Sequence, residues 1–548
     1  MTRADETSPV QTHAGVTRTV RDASFDVLRL HGLTTVFANP GSTEVSLLAD
    51  LPEDLDFVLA LHEGSVVGAA TGWALAREQP ALVLLHTTAG LGNAVGALAT
   101  ARANKAPLVV LVGQQDRRHL AQEPFLAGRL EGLAGDYPVR VESPVRAQDV
   151  PGAIGRAVHA AREGRGPALV LVPMNDWSEP AEDLPVPAPS VLRRAATADP
   201  SAVAEVAGLL AEATAPVLVV GAGADSTGTW AGLTTLAERL GCPVWQEPFG
   251  ARAGFPQDHR LFAGHLPADR PRLRTTLAPH DLVLCVGAPF LRQYPYTQGE
   301  LTESATRVVV VTDDPAEAHR APADLAVVTA LPDFCDQLAR HTPTRPAASE
   351  PTPRPPHPAP PAPGEPLRAA HVLAALAQRL PEETVVVEET PSSRPDLHAL
   401  LPARKPLGFL SAAMGGLGFA MPAAIGVRMG APRRPVVAVV GDGSSLYQIQ
   451  SLWTAAHYGV GAVFVVLANG RYAVMDRLAE QHGGRPPWPA FEEVDVAGLA
   501  QALGCPARRI DDYADLCETL DSLCPGLADR TEPLLLQVAV TTDDEFRP

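Results

Sequence analysis

Apolar residues along this chain come in short, Val-rich bursts with little alternation between apolar and polar positions. TTVFA, FVLAL, ALVLL, PLVVLV and ALVLV precede residue 175; PVLVV, DLVLCV and RVVVV follow, and then TVVV, PVVAVV, AVFVVL and LLLQVAV. Runs this short, without a polar face, predict strands buried on both sides, and the Ala-rich stretches between many of them predict helices. Repeated strand–helix winding of this kind predicts an α/β fold of doubly wound parallel sheets.

The pattern is interrupted at residues 343–366, where 11 of 24 residues are proline. Proline at that density withholds N–H donors and favours extended geometry, which predicts a semi-rigid linker outside any core. A weaker break falls in DLPVPAPSVLRRAATADPSA. Three domains of ordinary size are therefore expected, over residues 18–185, 195–342 and 367–548.

Composition narrows the function. The 548 residues carry 44 Lys and Arg against 62 Asp and Glu, a formal charge of −18 that repels phosphate backbones and argues against a nucleic-acid partner. With 46% hydrophobic and 19% charged residues, the chain has the balance of a packed protein. Six scattered cysteines form no C-x-x-C pair, so neither a disulfide framework nor a zinc ribbon is expected, and a reducing cytoplasm fits. The first fourteen residues lack the apolar stretch of a secretory signal, and no apolar run approaches the roughly 20 residues that cross a bilayer; no membrane partner is expected.

The strongest chemical signal is PVVAVVGDGSSLYQIQSLWTAAHYGVGAVFVVLANGRY. A buried strand ends before Gly441-Asp442-Gly443, a helix is expected through about His457, and a second strand ends before Asn469-Gly470. One strand–helix–strand circuit should bring Asp442 and Asn469 to the carboxyl ends of neighbouring parallel strands, where open α/β sheets bind ligands. A carboxylate and a carboxamide oxygen are hard ligands of the kind Mg²⁺ prefers, with positions left for phosphate oxygens. Gly441, Gly443 and the helix start at Ser444 favour backbone N–H contacts to phosphate, so the expected ligand is a Mg²⁺-bound diphosphate. A Gly-rich turn in VLVVGAGADS lacks the third glycine of a dinucleotide fingerprint, and neither flavin nor nicotinamide is expected.

GDG followed by Asn at this spacing resembles the cofactor motif of thiamine-diphosphate enzymes. VFANPGSTE, LALHEGSVVG, LHTTAGLGNAVGAL, VGQQDR and GGLGFAMPAAIGV extend the likeness from about residue 20 to the end, the linker excepted. The chain resembles the decarboxylase and acetolactate-synthase superfamily, and within it the benzoylformate decarboxylase branch. The resemblance implies a pyrimidine-binding, a central and a diphosphate-binding domain in that order, and a homodimer or homotetramer with active sites between subunits. It also implies an enzyme that uses thiamine diphosphate and Mg²⁺ to convert a small-molecule 2-oxo acid into an aldehyde and CO₂.

Residue by residue, the resemblance gives Glu63 the hydrogen bond to the aminopyrimidine ring, Ser42 the substrate carboxylate, and His86 proton handling at the substrate carbonyl. Gly415 supplies a carbonyl to the cofactor's amino group, Leu417 wedges beneath it, and Ser392 matches a hydroxyl on the diphosphate, although Pro391 replaces the threonine before it. Arg471 would add a backbone carbonyl to the metal set of Asp442 and Asn469. Gly64, Gly68 and Gly72 recur every four residues on one helix and predict close approach of another backbone; the family places this helix between subunits. The substrate pocket departs from the family pattern. Tyr294 stands where a second catalytic histidine is usual, and a phenol's ordinary pKa of about 10 makes it a poor proton shuttle at neutral pH. Val474 replaces alanine and Leu478 phenylalanine. Two rivals follow: an acetolactate-synthase-type carboligase, which joins the acyl fragment to a second carbonyl, and a binding scaffold that has lost turnover.

Overall fold

The computed structural model describes residues 18–182, 193, 195–345 and 356–542. The first fourteen residues, residues 183–192 and 194 of the weaker break, and residues 346–355 of the proline-rich segment lie outside these; the described parts of that segment, 343–345 and 356–366, form neither helix nor strand.

Three six-stranded sheets organise the chain. The first contains β1 (Thr35–Ala38), β2 (Asp56–Leu59), β3 (Ala81–His86), β4 (Leu108–Gln114), β5 (Arg140–Glu142) and β6 (Pro167–Pro173) in the order β2-β1-β3-β4-β6-β5. The second contains β7 (Pro216–Val220), β8 (Val244–Gln246), β9 (Phe262–His265), β10 (Leu282–Val286), β11 (Arg307–Thr312) and β12 (Leu325–Val328), ordered β12-β11-β10-β7-β8-β9. The third contains β13 (Val385–Glu389), β14 (Phe409–Ser411), β15 (Val436–Gly441), β16 (Val463–Ala468), β17 (Ala507–Ile510) and β18 (Leu534–Ala539), ordered β14-β13-β15-β16-β18-β17. Every pairing among them is parallel. The α/β expectation is met, because Val-rich strands such as β7, β10 and β13 are buried along their whole length.

The outer two sheets repeat one winding, whereas the middle sheet winds outward in two halves from the β7–β10 pair. That switch point is where such a sheet leaves a ligand crevice. Here the GAGADS turn faces the next loop closely: the Gly223 N–H donates to the Gly287 carbonyl at 2.7 Å, and a Cβ on Gly223 would lie 2.9 Å from that oxygen.

The first and third sheets share one apolar core, in which Phe37, Val67 and Leu98 pack in a single cluster with Val385, Ala424 and Phe464. The glycine stripe makes this possible. Helix Glu63–Arg77 lies against helix Ala420–Gly430 so closely that a Cβ on Gly72 would be 2.1 Å from the Ala423 carbonyl oxygen, and one on Gly426 would be 1.8 Å from that of Ala69. The expected close approach is therefore present, but its partner is in the same chain. Residues 63–75 are buried within the chain, so the contact these glycines make is an intrachain one, where the resemblance had implied a contact between subunits.

Candidate active site

Asp442 and Asn469 follow the ends of adjacent strands β15 and β16, whose register pairs Gly441 with Leu467. Their loops close on one another: Asp442 Oδ2 accepts from the Asn469 N–H at 2.8 Å and the Gly470 N–H at 2.6 Å, and Oδ1 from the Gly443 N–H at 2.8 Å. Burial pushes the Asp442 carboxyl up, and these N–H groups oppose the rise. Asn469 Oδ1 accepts from the Arg471 N–H at 3.0 Å, while the Arg471 side chain turns to Asp476 at 3.4 Å. One expectation fails here: the helix does not run unbroken to His457. It makes a single turn at Asp442–Ser445, and a second helix occupies Ser451–His457. Within that turn Gly443 has no room for a side chain, since Tyr472 and Phe491 pack where its Cβ would be.

The loop carrying Gly415 and Leu417 is held from β13. Glu389, at the strand's end, accepts from the backbone N–H groups of Gly418, Phe419 and Ala420, each at 2.7 Å, capping helix Ala420–Gly430. Burial raises its carboxyl to about 7 against those three donors. Gly415 has φ +72°, a left-handed conformation that favours glycine, and Leu417 beside it is half-buried and outside the core clusters. Ser392 Oγ accepts from the Val474 N–H at 3.1 Å, which ties the β13 loop to helix Ala473–Gln481.

A cavity of about 950 Å³ opens between the middle and third sheets. Gly415, Tyr294, Val474 and Leu478 all line it; Ser42, Glu63 and His86 do not. Those three belong to the first sheet. Glu63, 7% exposed, opens its helix, with Oε1 accepting from Asn39 Nδ2 at 3.3 Å and Oε2 from Asn93 Nδ2 at 3.1 Å. His86 ends β3, and Ser42 is exposed in the loop after β1. No hydrogen bond among the described residues joins Ser42, Glu63 or His86 to Gly415, Leu417, Asp442 or Asn469. Two groups of expected site residues, referred to as half-sites, therefore belong to different domains of the chain; next to Glu63, Ser65 Oγ donates to Gln448 Oε1 of the third domain at 2.5 Å.

Family models match the chain in three consecutive stretches: the N-terminal TPP binding domain of thiamine pyrophosphate enzymes over residues 18–129, their central domain over 203–338 and their C-terminal TPP binding domain over 392–538. The chain belongs to the thiamine pyrophosphate enzyme family. A benzoylformate decarboxylase of Pseudomonas aeruginosa is 37% identical over 535 residues, covering 96% of this chain and 99% of that one. A solved thiamine diphosphate-dependent 4-hydroxybenzoylformate decarboxylase of Rhodococcus jostii RHA1 superposes with a TM-score of 0.90 at 33% identity, over 96% of this chain and all of the other. A putative acetolactate synthase large subunit of Mycobacterium tuberculosis is more distant, 29% identical over 88% of this chain and 93% of its own length. This thiamine pyrophosphate enzyme is a 2-oxo acid decarboxylase that depends on thiamine diphosphate.

The residues present fit the cofactor's charged end. Among the described residues, the partners of the buried Asp442 carboxylate are backbone N–H groups and no cationic side chain, so a cation placed there would compensate its charge. The Asp442 carboxylate, the Asn469 side-chain amide oxygen and a backbone carbonyl form an all-oxygen set suited to Mg²⁺.

Several residues in the half-sites escaped sequence reasoning. Glu44, 1% exposed, lies 3.0 Å from His86 Nδ1, and Thr43 Oγ1 lies 2.9 Å from the same nitrogen while donating to Glu44. A Cβ on Gly113 would strike Glu44 at 1.8 Å, and one on Gly41 would strike the His86 ring at 2.4 Å, so two glycines make room for the pair. The NPGSTE wording contains Glu44, but only the fold reveals that β1's loop meets the end of β3.

In the cavity wall, His265 and His398 stack with centroids 3.8 Å apart and planes 9° from parallel. Burial, with Arg394 nearby, holds His265 well below the ordinary imidazole range and His398 down at about 3. Depressed folded values mean that these rings contribute their full stability above about pH 6.5, the unfolded value, and lose it as the pH falls toward the folded values. Thermal unfolding followed from pH 7 to pH 4.5 should show Tm falling, and the His398→Phe variant, which keeps an aromatic ring, should show a shallower fall. Parallel profiles would refute the assignment.

Proposed function

We propose that the 2-oxo acid is one with an aromatic side chain, decarboxylated to an aldehyde and CO₂ with Mg²⁺ as second cofactor. The observation that carries this reading is the cavity of about 950 Å³, in which Phe249, Phe262, Leu266, Val474 and Leu478 supply apolar walls next to Gly415. The substrates named for the relatives, benzoylformate and 4-hydroxybenzoylformate, support the same class.

Bound thiamine diphosphate supplies the nucleophilic carbon and the electron sink for loss of CO₂. When it is bound, Glu63 would hydrogen-bond the aminopyrimidine, Gly415 would offer its carbonyl to the ring's amino group, and Leu417 would support the cofactor. Gly441, Gly443, Ser444 and Ser392 would surround the diphosphate, while Asp442, Asn469 and the Arg471 carbonyl would hold Mg²⁺. Ser42 binds the substrate carboxylate, and His86, oriented by Glu44 and Thr43, moves a proton at the substrate carbonyl.

The two half-sites support an assembly of at least two chains. Helix Thr87–Ala103 exposes Thr88, Ala89, Gly92, Asn93 and Gly96 in one small-residue face, and Asn93 on that face holds Glu63. In the third domain Met414 and Tyr447 are exposed next to the Gly415 and Asp442 loops. A second chain covering these surfaces would bring Glu63 of one copy to Asp442 of the other. A cytoplasmic setting accords with six free cysteines, five of them buried.

CO₂ release from a panel of 2-oxo acids, with thiamine diphosphate and Mg²⁺ supplied, tests this reading; aryl acids should exceed short aliphatic ones in kcat/KM by at least about tenfold. Equal rates across the panel would overturn it. Carboligation is the second reading, favoured by one feature: Tyr294, 65% exposed at the cavity, replaces a histidine that would otherwise deliver a proton to the product. Product analysis with and without an added aldehyde separates the two.

A further inference from the structure

The same cavity contains a polar spot that the proposed chemistry does not use. His265 comes from β9 in the middle domain and His398 from helix Arg394–Leu400 in the third, so the stacked pair bridges two domains where both line the cavity. Neither ring makes a hydrogen bond to the protein among the described residues, and neither ring has a nitrogen among the sealed, unpartnered buried atoms. Their polar edges are thus available to something inside the cavity. Two aromatic rings pack on the pair: Phe262 of the cavity wall meets His265 edge-on at 5.9 Å, and Phe409 of the core meets His398 at 5.6 Å.

The charges nearby are already matched. Arg394, which lines the cavity, pairs with buried Glu388 at 2.6 Å, and Arg272 pairs with Asp269. Both imidazoles are neutral at physiological pH because burial opposes their protonation. A neutral imidazole offers one N–H donor and one acceptor nitrogen, which together complement a hydroxyl group. Among the described residues, a carboxylate would find no unpaired arginine there, and no aspartate or glutamate lines the cavity to receive an ammonium group.

We infer that the stacked pair His265 and His398 is a specificity device for a hydroxyl group at the far end of the substrate, so that the preferred 2-oxo acid is a hydroxyaryl one. This rests on the reading of the cavity as the acyl pocket and deepens it. The apolar walls receive the ring, Val474 and Leu478 flank its reacting end beside Gly415, and the imidazole edges exchange hydrogen bonds with the phenolic hydroxyl. Sites built around such a bond reject analogues that lack the group, because their own polar atoms are then left unpaired.

Two measurements test the inference. In the first, kcat/KM for 4-hydroxybenzoylformate is divided by that for benzoylformate; the ratio should be at least about tenfold in the wild-type enzyme and near unity in His398→Phe, whatever the absolute rates. In the second, 4-hydroxybenzaldehyde and benzaldehyde are titrated into the protein without cofactor by calorimetry. The hydroxylated aldehyde should bind about tenfold more tightly, and His398→Phe should remove the difference. A wild-type ratio near unity in binding, or a ratio that survives His398→Phe, overturns the inference. Absence of CO₂ release from either acid would overturn the reading of the pocket, while the binding ratio would still decide the role of the imidazoles.

Discussion

Replacing Glu63 by glutamine should lower kcat for CO₂ release by about 10²–10⁴-fold, the range lost when a positioned proton-handling group is removed. The substitution keeps the side chain's shape, so helix Glu63–Arg77 and its packing on helix Ala420–Gly430 should persist, and Tm should change little. What changes is the polar edge. Both carboxylate oxygens accept from asparagine side chains, Asn39 at 3.3 Å and Asn93 at 3.1 Å, and a carboxylate has lone pairs remaining for a cofactor ring nitrogen. A glutamine brings an NH₂ group toward one of those donors and carries no exchangeable charge. Stopped-flow or coupled measurement of CO₂ at saturating thiamine diphosphate and Mg²⁺ checks the result, with circular dichroism to confirm folding. Undiminished turnover would take Glu63 out of the reaction and leave the first half-site without a function.

The sequence made the interior of the fold legible and much of its periphery illegible. All twelve Val-rich bursts became strands, since a strand buried on both faces must be apolar throughout. The strands without such a signal are β5, β8, β9, β12, β14 and β17. Five of them lie at sheet edges, and β8, next to edge strand β9, has only three residues. Edge strands tolerate exposure: the positions of β12 alternate between half-buried and exposed, and β17 carries exposed Arg508 and Arg509. The glycine stripe announced a close contact but could not name its partner, because Gly426 and Ala423 belong to a helix that adjoins it only after the two sheets have merged their cores. Likewise the wording around Asp442 located the turn while hiding the interruption after Ser445. The stacked imidazoles were invisible for the same reason as the pairing of Glu44 with His86: each joins residues distant in sequence, and a lone histidine in an apolar context has no distinctive pattern.

Mixing two inactive variants should restore activity if the half-sites meet across a subunit boundary. In a two-fold dimer each site takes the Glu63 side from one chain and the Asp442 side from the other. A hybrid of Glu63→Gln with Asp442→Ala then contains one site with both lesions and one with neither. Random exchange makes about half of all dimers hybrid, so about a quarter of the sites should become active from a background near zero. The cost of Asp442→Ala falls at the diphosphate end, where the carboxylate accepts three backbone N–H groups and where a metal would be held, so excess Mg²⁺ should not rescue this variant alone. Restoration requires exchange, and it should follow the time course of subunit mixing measured by native mass spectrometry. If the variants remain inactive after hybrids have formed, both half-sites must act within one chain, and the exposed face carrying Asn93 needs another explanation.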